Sequence, residues 1–258
     1  MDTESLYKTA KLLMTPGKGI LAADQSVSTM NKQLEAIGAT PEAETRRLYR
    51  QLLFTAPGIE KYVTGIILYD ATIRNHTDDG TAFVDHLIAK GVIPIIKVDK
   101  STVPFEGFPG EVVTEGLDGL KERLEEYFKM GARAAKWRAV VNIGDGLPTL
   151  DSIKFNCMLL ARYARLCQEI GLVPIVEPEV IYEGTHDLAR AEEVTTLTLR
   201  TLFTVLTQYR VDLKATILKT SMVLSGSKNA KPSTPEEVAE ATLQTLDNAV
   251  PNSVAGIV

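Results

Sequence analysis

Short apolar runs alternate with longer amphipathic stretches along most of the chain, and the two kinds of segment have different periods. GILAAD (19–24), VTGIILY (63–69), VIPIIKVD (92–99), AAKWRA (134–139), VPIVEPEV (173–180), ATILKTSMV (215–223) and VAGIV (254–258) form the first kind. They are too short for ordinary helices and too uniformly apolar for half-exposed strands, so they predict seven strands buried on both faces. The stretches between them repeat apolar positions at helical spacing, and an amphipathic segment, 5–14, precedes the first strand. Thr40-Pro41-Glu42 and Ser233-Thr234-Pro235-Glu236-Glu237 each place a hydroxyl before a proline and an acidic first turn, which is a helix-start signal. Gly91, Gly131 and Gly171 close helical patterns just ahead of strands, where glycine suits the left-handed residue that ends a helix.

Strands alternating with helices predict an α/β fold with a parallel sheet, either a closed (β/α) barrel or an open doubly wound sheet. The barrel is the better reading. No linker or low-complexity stretch divides the chain, which is expected to be a single domain over residues 1–258, and no glycine-rich dinucleotide fingerprint is present. Polar side chains also fall within or at the carboxyl ends of five different runs, where barrel enzymes assemble their sites.

Those polar side chains are Asp24, Lys97, Asp99, Lys136, Arg138, Glu177, Glu179 and Lys219. Side chains alternate along a strand, so Lys136 shares a face with Arg138, and Glu177 with Glu179. A lone charge near a strand end is usually part of a structural ion pair. Five strands doing this together point to a functional site, because buried charges are a costly way to hold a core. The residue types suit covalent carbonyl chemistry. A lysine amine attacks only when neutral, and a neighbouring cation such as Lys136 beside Lys219 lowers its pKa from about 10.4. Glu177 and Glu179 are placed to move protons while a carbinolamine forms and dehydrates. By the same alternation Trp137, between Lys136 and Arg138, is expected to face the helix layer.

Composition narrows the classes. At 258 residues, 45% hydrophobic and 24% charged, the chain can bury one large core. A net charge of −5 and the lack of any long Lys/Arg run disfavour nucleic acid or a membrane surface as partner. No run approaches the roughly 20 apolar residues of a membrane span, and nothing at the start reads as a signal peptide, so a cytoplasmic protein is expected. Cys157 and Cys167 fall in one helical pattern about 15 Å apart and are not expected to bond to each other. His76, His86 and His186 lack metal-ligand spacing, so no metal is expected.

The motifs KGILAADQS (18–26), IIKVDK (95–100), GLDGL (116–120), AKWR (135–138), ARYA (161–164), IVEPE (175–179), HDL (186–188) and ILKTSMV (217–223) occur in order along the chain. Together they resemble the class I fructose-1,6-bisphosphate aldolases over essentially the whole length. The resemblance implies a TIM (β/α)8 barrel and a lyase of glycolysis and gluconeogenesis. Its reaction is reversible cleavage of fructose 1,6-bisphosphate to dihydroxyacetone phosphate and glyceraldehyde 3-phosphate. It implies Lys219 as the Schiff-base lysine, Glu177 as acid/base, and Glu179 as the neighbour that tunes and orients the amines. Asp24 takes the hydroxyl proton, and Lys136 supports the Schiff base. Lys97, Arg138 and Ser26 lie along the substrate and its phosphate. The partner implied is a phosphorylated sugar, with no cofactor or metal because the iminium is the electron sink, and with assembly as a homo-oligomer.

The chain departs from the family pattern at Thr220, Gln25 and Gln33, the last standing where many members carry a phosphate-contacting arginine. Family chains also continue past a segment like VAGIV. The expectation is therefore a barrel with strands 1 to 7 present and the eighth strand and C-terminal tail missing, either a fragment or a chain completed by another copy. Rival readings are another lysine-dependent barrel enzyme, such as a transaldolase or deoxyribose-phosphate aldolase, and a catalytically incomplete scaffold.

Overall fold

The computed structural model describes residues 2–258. Helix α1 (Thr3–Leu13) leads into β1 (Gly19–Ala23), followed by α2 (Val27–Ala36) and α3 (Ala43–Phe54). Then come β2 (Val63–Leu68), α4 (Asp70–Ile73), α5 (Phe83–Ala89) and β3 (Ile93–Lys97). A hairpin, β4 (Thr102–Pro104) and β5 (Val112–Thr114), precedes α6 (Leu120–Lys129), β6 (Ala134–Val141), α7 (Leu150–Ile170), β7 (Val173–Val180) and α8 (Leu188–Gln208). The chain closes with β8 (Ile217–Leu218), α9 (Pro235–Ala249) and β9 (Gly256–Ile257).

The seven runs read from the sequence supply the main sheet, whose order is β1-β2-β3-β6-β7-β8-β9 with all neighbours parallel. Strands follow chain order without a reversal. A doubly wound sheet requires such a reversal, so the topology is that of a barrel wall. The wall curls: Asp24, just past β1, reaches Lys136 on β6 at 2.8 Å across two intervening strands. β1 and β9 are its two edges.

Strand alternation produces two cores. Outward side chains such as Ile66, Leu68, Ile96, Ala135, Trp137, Val176 and Leu218 pack under the helices in one large cluster. Inward ones, Ile67, Ile95, Ala134, Val173, Ile175 and Ile217, pack with Leu6, Ala10 and Leu13 of α1. Helix α1 thus plugs one end of the curled sheet. Its apolar face recurs at helical spacing, and each fully buried leucine contributes about 1.5–3 kcal/mol. Gly65 makes room for the plug, since a Cβ there would lie 2.8 Å from Leu13 and 2.9 Å from Ile95.

Helix ends follow the sequence in most cases. Thr234 and Glu237 form a reciprocal capping box with Pro235 in the first turn of α9. Gly91, Gly131 and Gly171 have φ of 72°, 110° and 99°. Trp137 is fully buried against the helices, its ring 5.5 Å from that of Tyr163 on α7. Cys157 and Cys167 are separate, buried thiols, and burial pushes the Cys157 thiol up to about 12.

Two expectations need correction, and one element carried no expectation. Thr40 does not cap its helix, because α3 starts later, with Glu42 at the N-cap position and no side-chain cap bond. The strand expected over 215–223 is confined to Ile217–Leu218. Leu213–Ala215 is a 3-10 turn, and beyond Leu218 the apolar inward positions give way to Lys219 opposite the charged end of β7. The β4/β5 hairpin was missed, although valines flank a Gly107/Pro109/Gly110 turn.

Candidate active site

At the carboxyl end of the sheet lies a cavity of about 710 Å³, bordered by Asp24, Ser26, Tyr69, Lys97, Lys136 and Arg138. The parallel register brings them together. Lys97 lies opposite Lys136 across β3 and β6, Arg138 opposite Glu177 across β6 and β7, and Lys219 follows the last paired residue of β8. α1 fills the other end of the interior, so the polar side chains have only this mouth.

Four of these groups form a chain of alternating charge. Lys136 Nζ is 2.8 Å from Asp24 Oδ2 and 2.8 Å from Glu177 Oε2, while Lys219 Nζ donates to Glu177 Oε1. The Lys136 and Glu177 side chains are 5% and 6% exposed, against 32% for Lys219. Burial opposes the Lys136 charge, but the Glu177 and Asp24 carboxylates outweigh it and hold the amine above the ordinary lysine value. Lys136 is therefore a fixed ammonium. Lys136 lies beside Lys219 as expected of a neighbouring cation, with Glu177 between them and its two oxygens shared between the two amines.

A second group runs along the cavity wall. Arg138 Nε donates to Glu179 Oε2, its backbone N–H donates to Asp99 Oδ2 at 3.3 Å, and Lys97 Nζ donates to Asp99 Oδ1. Glu179, expected to tune and orient the amines, pairs with Arg138, since β6 and β7 set those side chains on the same inward face. Asp99 takes Lys97, two residues back. Lys97 retains its place on the cavity wall and sits 6.0 Å from the centre of the Tyr69 ring.

Ser26 is the N-cap of α2. Its Oγ accepts from the Thr29 backbone N–H and lies 3.0 Å from both Ser28 Oγ and Thr29 Oγ1. Ser26 and Thr29 both border the cavity, so hydroxyls and a helix N-terminus face it beside Lys97, an arrangement suited to an anionic group. Gln33, further along α2, is exposed and does not border the cavity. Lys219, Glu177 and Glu179 adjoin the cavity through Lys136 and Arg138 rather than forming its wall.

Sequence reasoning missed the wall formed by Tyr69, Asp70, Arg74, Arg123, Glu126 and Tyr127. Arg74 bridges Asp70 and Glu126, and Tyr127 donates to Asp70 at 2.8 Å. Burial and that hydrogen bond push the Tyr127 phenol up to about 12. Arg123 donates to the carbonyls of Val98 and Gly116 and so fastens the segment after β3. In the sequence Arg74, Arg123 and Glu126 are ordinary charges, and no spacing signal marks them.

The fructose-bisphosphate aldolase class-I family model matches residues 5–258. A probable fructose-bisphosphate aldolase class 1 from Xanthomonas axonopodis pv. citri is 52% identical over 258 residues, all of this chain and 77% of that protein. The cytosolic fructose-bisphosphate aldolase 5 of Arabidopsis thaliana is 48% identical over 99% of this chain and 71% of its own length. A fructose-bisphosphate aldolase from Plasmodium falciparum, solved with TRAP and a small-molecule inhibitor, superposes with a TM-score of 0.97 at 41% identity, over 99% of this chain and 74% of that one. Sheet order, the position of the charged mouth and a family match over nearly every residue converge on one conclusion: the chain belongs to the class I fructose-bisphosphate aldolase family.

Proposed function

We propose that Lys219 is the Schiff-base lysine of this aldolase and that Glu177 is its proton shuttle. The observation that carries this reading is the bridge in which one Glu177 oxygen accepts from Lys219 Nζ while the other faces the Lys136 ammonium. Glu177 is placed to take the proton that the Lys219 amine must lose before it attacks the substrate ketone. It is then placed to return that proton to the carbinolamine hydroxyl as water leaves. The resulting iminium draws electrons from the carbon-carbon bond that breaks.

Asp24, on the far side of Lys136, takes the hydroxyl proton of the departing aldehyde half. Lys136 stays charged throughout, holding both carboxylates in place. Ser26 and Lys97 grip a phosphate at the N-terminus of α2, and Arg138, oriented by Glu179, lies along the sugar. The substrate is fructose 1,6-bisphosphate. The cytosolic naming of the Arabidopsis relative fits two buried, unbonded thiols, and we place this chain in the cytoplasm as a homo-oligomer.

The test is to incubate the protein with dihydroxyacetone phosphate, reduce with borohydride and map the added mass. An adduct on Lys219 is expected. An adduct on Lys136 or any other lysine rejects the assignment.

A further inference from the structure

Beside the catalytic cavity, and separate from its charge chain, lies a small pocket of about 80 Å³ between the start of α2, helix α3 and the end of β2. Arg46, Arg47 and Arg50 all border it, and among the described residues no aspartate or glutamate does. Arg47 is neutralised from outside by Glu44 and Asp78. Among the described residues Arg46 has only neutral partners, the side-chain oxygen of Asn31 and the carbonyl of Pro41.

Arg50 is the unusual member. It is 4% exposed, has no carboxylate within ion-pair distance among the described residues, lies 5.7 Å from the centre of the Tyr49 ring, and makes one long hydrogen bond, Nη2 to the Gln25 carbonyl at 3.4 Å. Its Nη1 is buried without a partner, and so is Oε1 of Gln25 on the same pocket wall. Burial pulls the Arg50 pKa down, as expected for a guanidinium short of countercharge. An arginine stays protonated regardless, so the charge has to be met from elsewhere. The Asp24 charge favours the Arg50 guanidinium, but Asp24 is already engaged by Lys136.

We infer that this pocket is a binding site for one small inorganic anion, of the size of chloride or phosphate, held by Arg50 with Arg46. The volume suits it: about 80 Å³ is room for two or three waters at about 30 Å³ each, or for one such ion. A pocket where Arg46 and Arg50 face no acid favours the ion, because water supplies no countercharge. Gln25 connects the two sites, since it lies between Asp24 and Ser26 and its carbonyl faces Arg50. An ion here therefore braces the segment that carries both residues into the catalytic cavity. The inference stands on this pocket's own geometry and does not depend on the Schiff-base assignments.

Melting temperatures measured in phosphate and in chloride, against gluconate at matched ionic strength, test the idea, gluconate being too large for the pocket. The parent protein is expected to gain several degrees in at least one of the small anions, with saturation. Arg50→Met removes the uncompensated charge and is expected to melt no lower than the parent in gluconate and to lose the saturable gain. Gln25→Glu, which supplies an internal carboxylate of the same length, is expected to lose it as well. Lys97→Met weakens anion binding in the catalytic cavity and is expected to keep it. The inference is overturned if the parent shows no saturable gain, if Arg50→Met retains it, or if Lys97→Met alone abolishes it. The last two outcomes would leave the pocket to water.

Discussion

Replacing Glu177 with glutamine keeps the shape of the side chain and removes the charge that Lys136 and Lys219 share. Removing one partner of a buried ion pair costs about 3–5 kcal/mol, and solvent screening is slight where both side chains are nearly dry. Lys136 keeps Asp24 at 2.8 Å, which places the cost at the lower end, about 3 kcal/mol. For a chain of this size that lowers the melting temperature by about 6–12 °C. The proton shuttle is lost as well, so kcat for cleavage is expected to fall by about 10²–10⁴-fold.

The variant also has a pH signature. The Lys136 pKa is raised in the folded protein, so the stability it confers is fully present below the unfolded lysine value, near 10.4, and is lost as pH rises through the higher folded value. Without Glu177, burial weighs more heavily against the charge and the folded pKa falls. Alkaline destabilisation is then expected to begin at lower pH than in the parent. Melts across the alkaline range and a coupled cleavage assay read both effects. A variant with kcat within about threefold of the parent and an unchanged alkaline limb would refute the bridging role of Glu177.

Other perturbations separate chemistry from scaffold. Asp24→Asn is expected to lower cleavage by at least about 10²-fold while the borohydride-trapped adduct with dihydroxyacetone phosphate still forms, a split that equal loss of both activities would contradict. Gly65→Ala drives a methyl into Leu13 and Ile95 under the α1 plug and is expected to cost about 1–3 kcal/mol by chemical denaturation, with kcat of the folded protein retained. Thr234→Ala breaks the α9 capping box at a cost of about 1 kcal/mol, which a melt reads as a drop of about 2–4 °C.

How much of this was legible in the chain depends on range. Strand positions, glycine helix ends, the outward Trp137 and the charged strand ends follow from local rules, because alternation and helical periodicity are set by covalent geometry over a few residues. The motifs extended this to a family and a chemistry. Charge partners did not follow. Arg138 with Glu179, Lys97 with Asp99, and Glu177 between two lysines depend on register and curl, and buried charges choose partners by distances of a few tenths of an ångström. Arg50 shows the limit most clearly. In the sequence it is one more charge on an amphipathic helix, and only the packing of α3 against the start of α2 buries it beside Gln25 without a carboxylate, because desolvation is a property of the assembled surroundings and not of the residue.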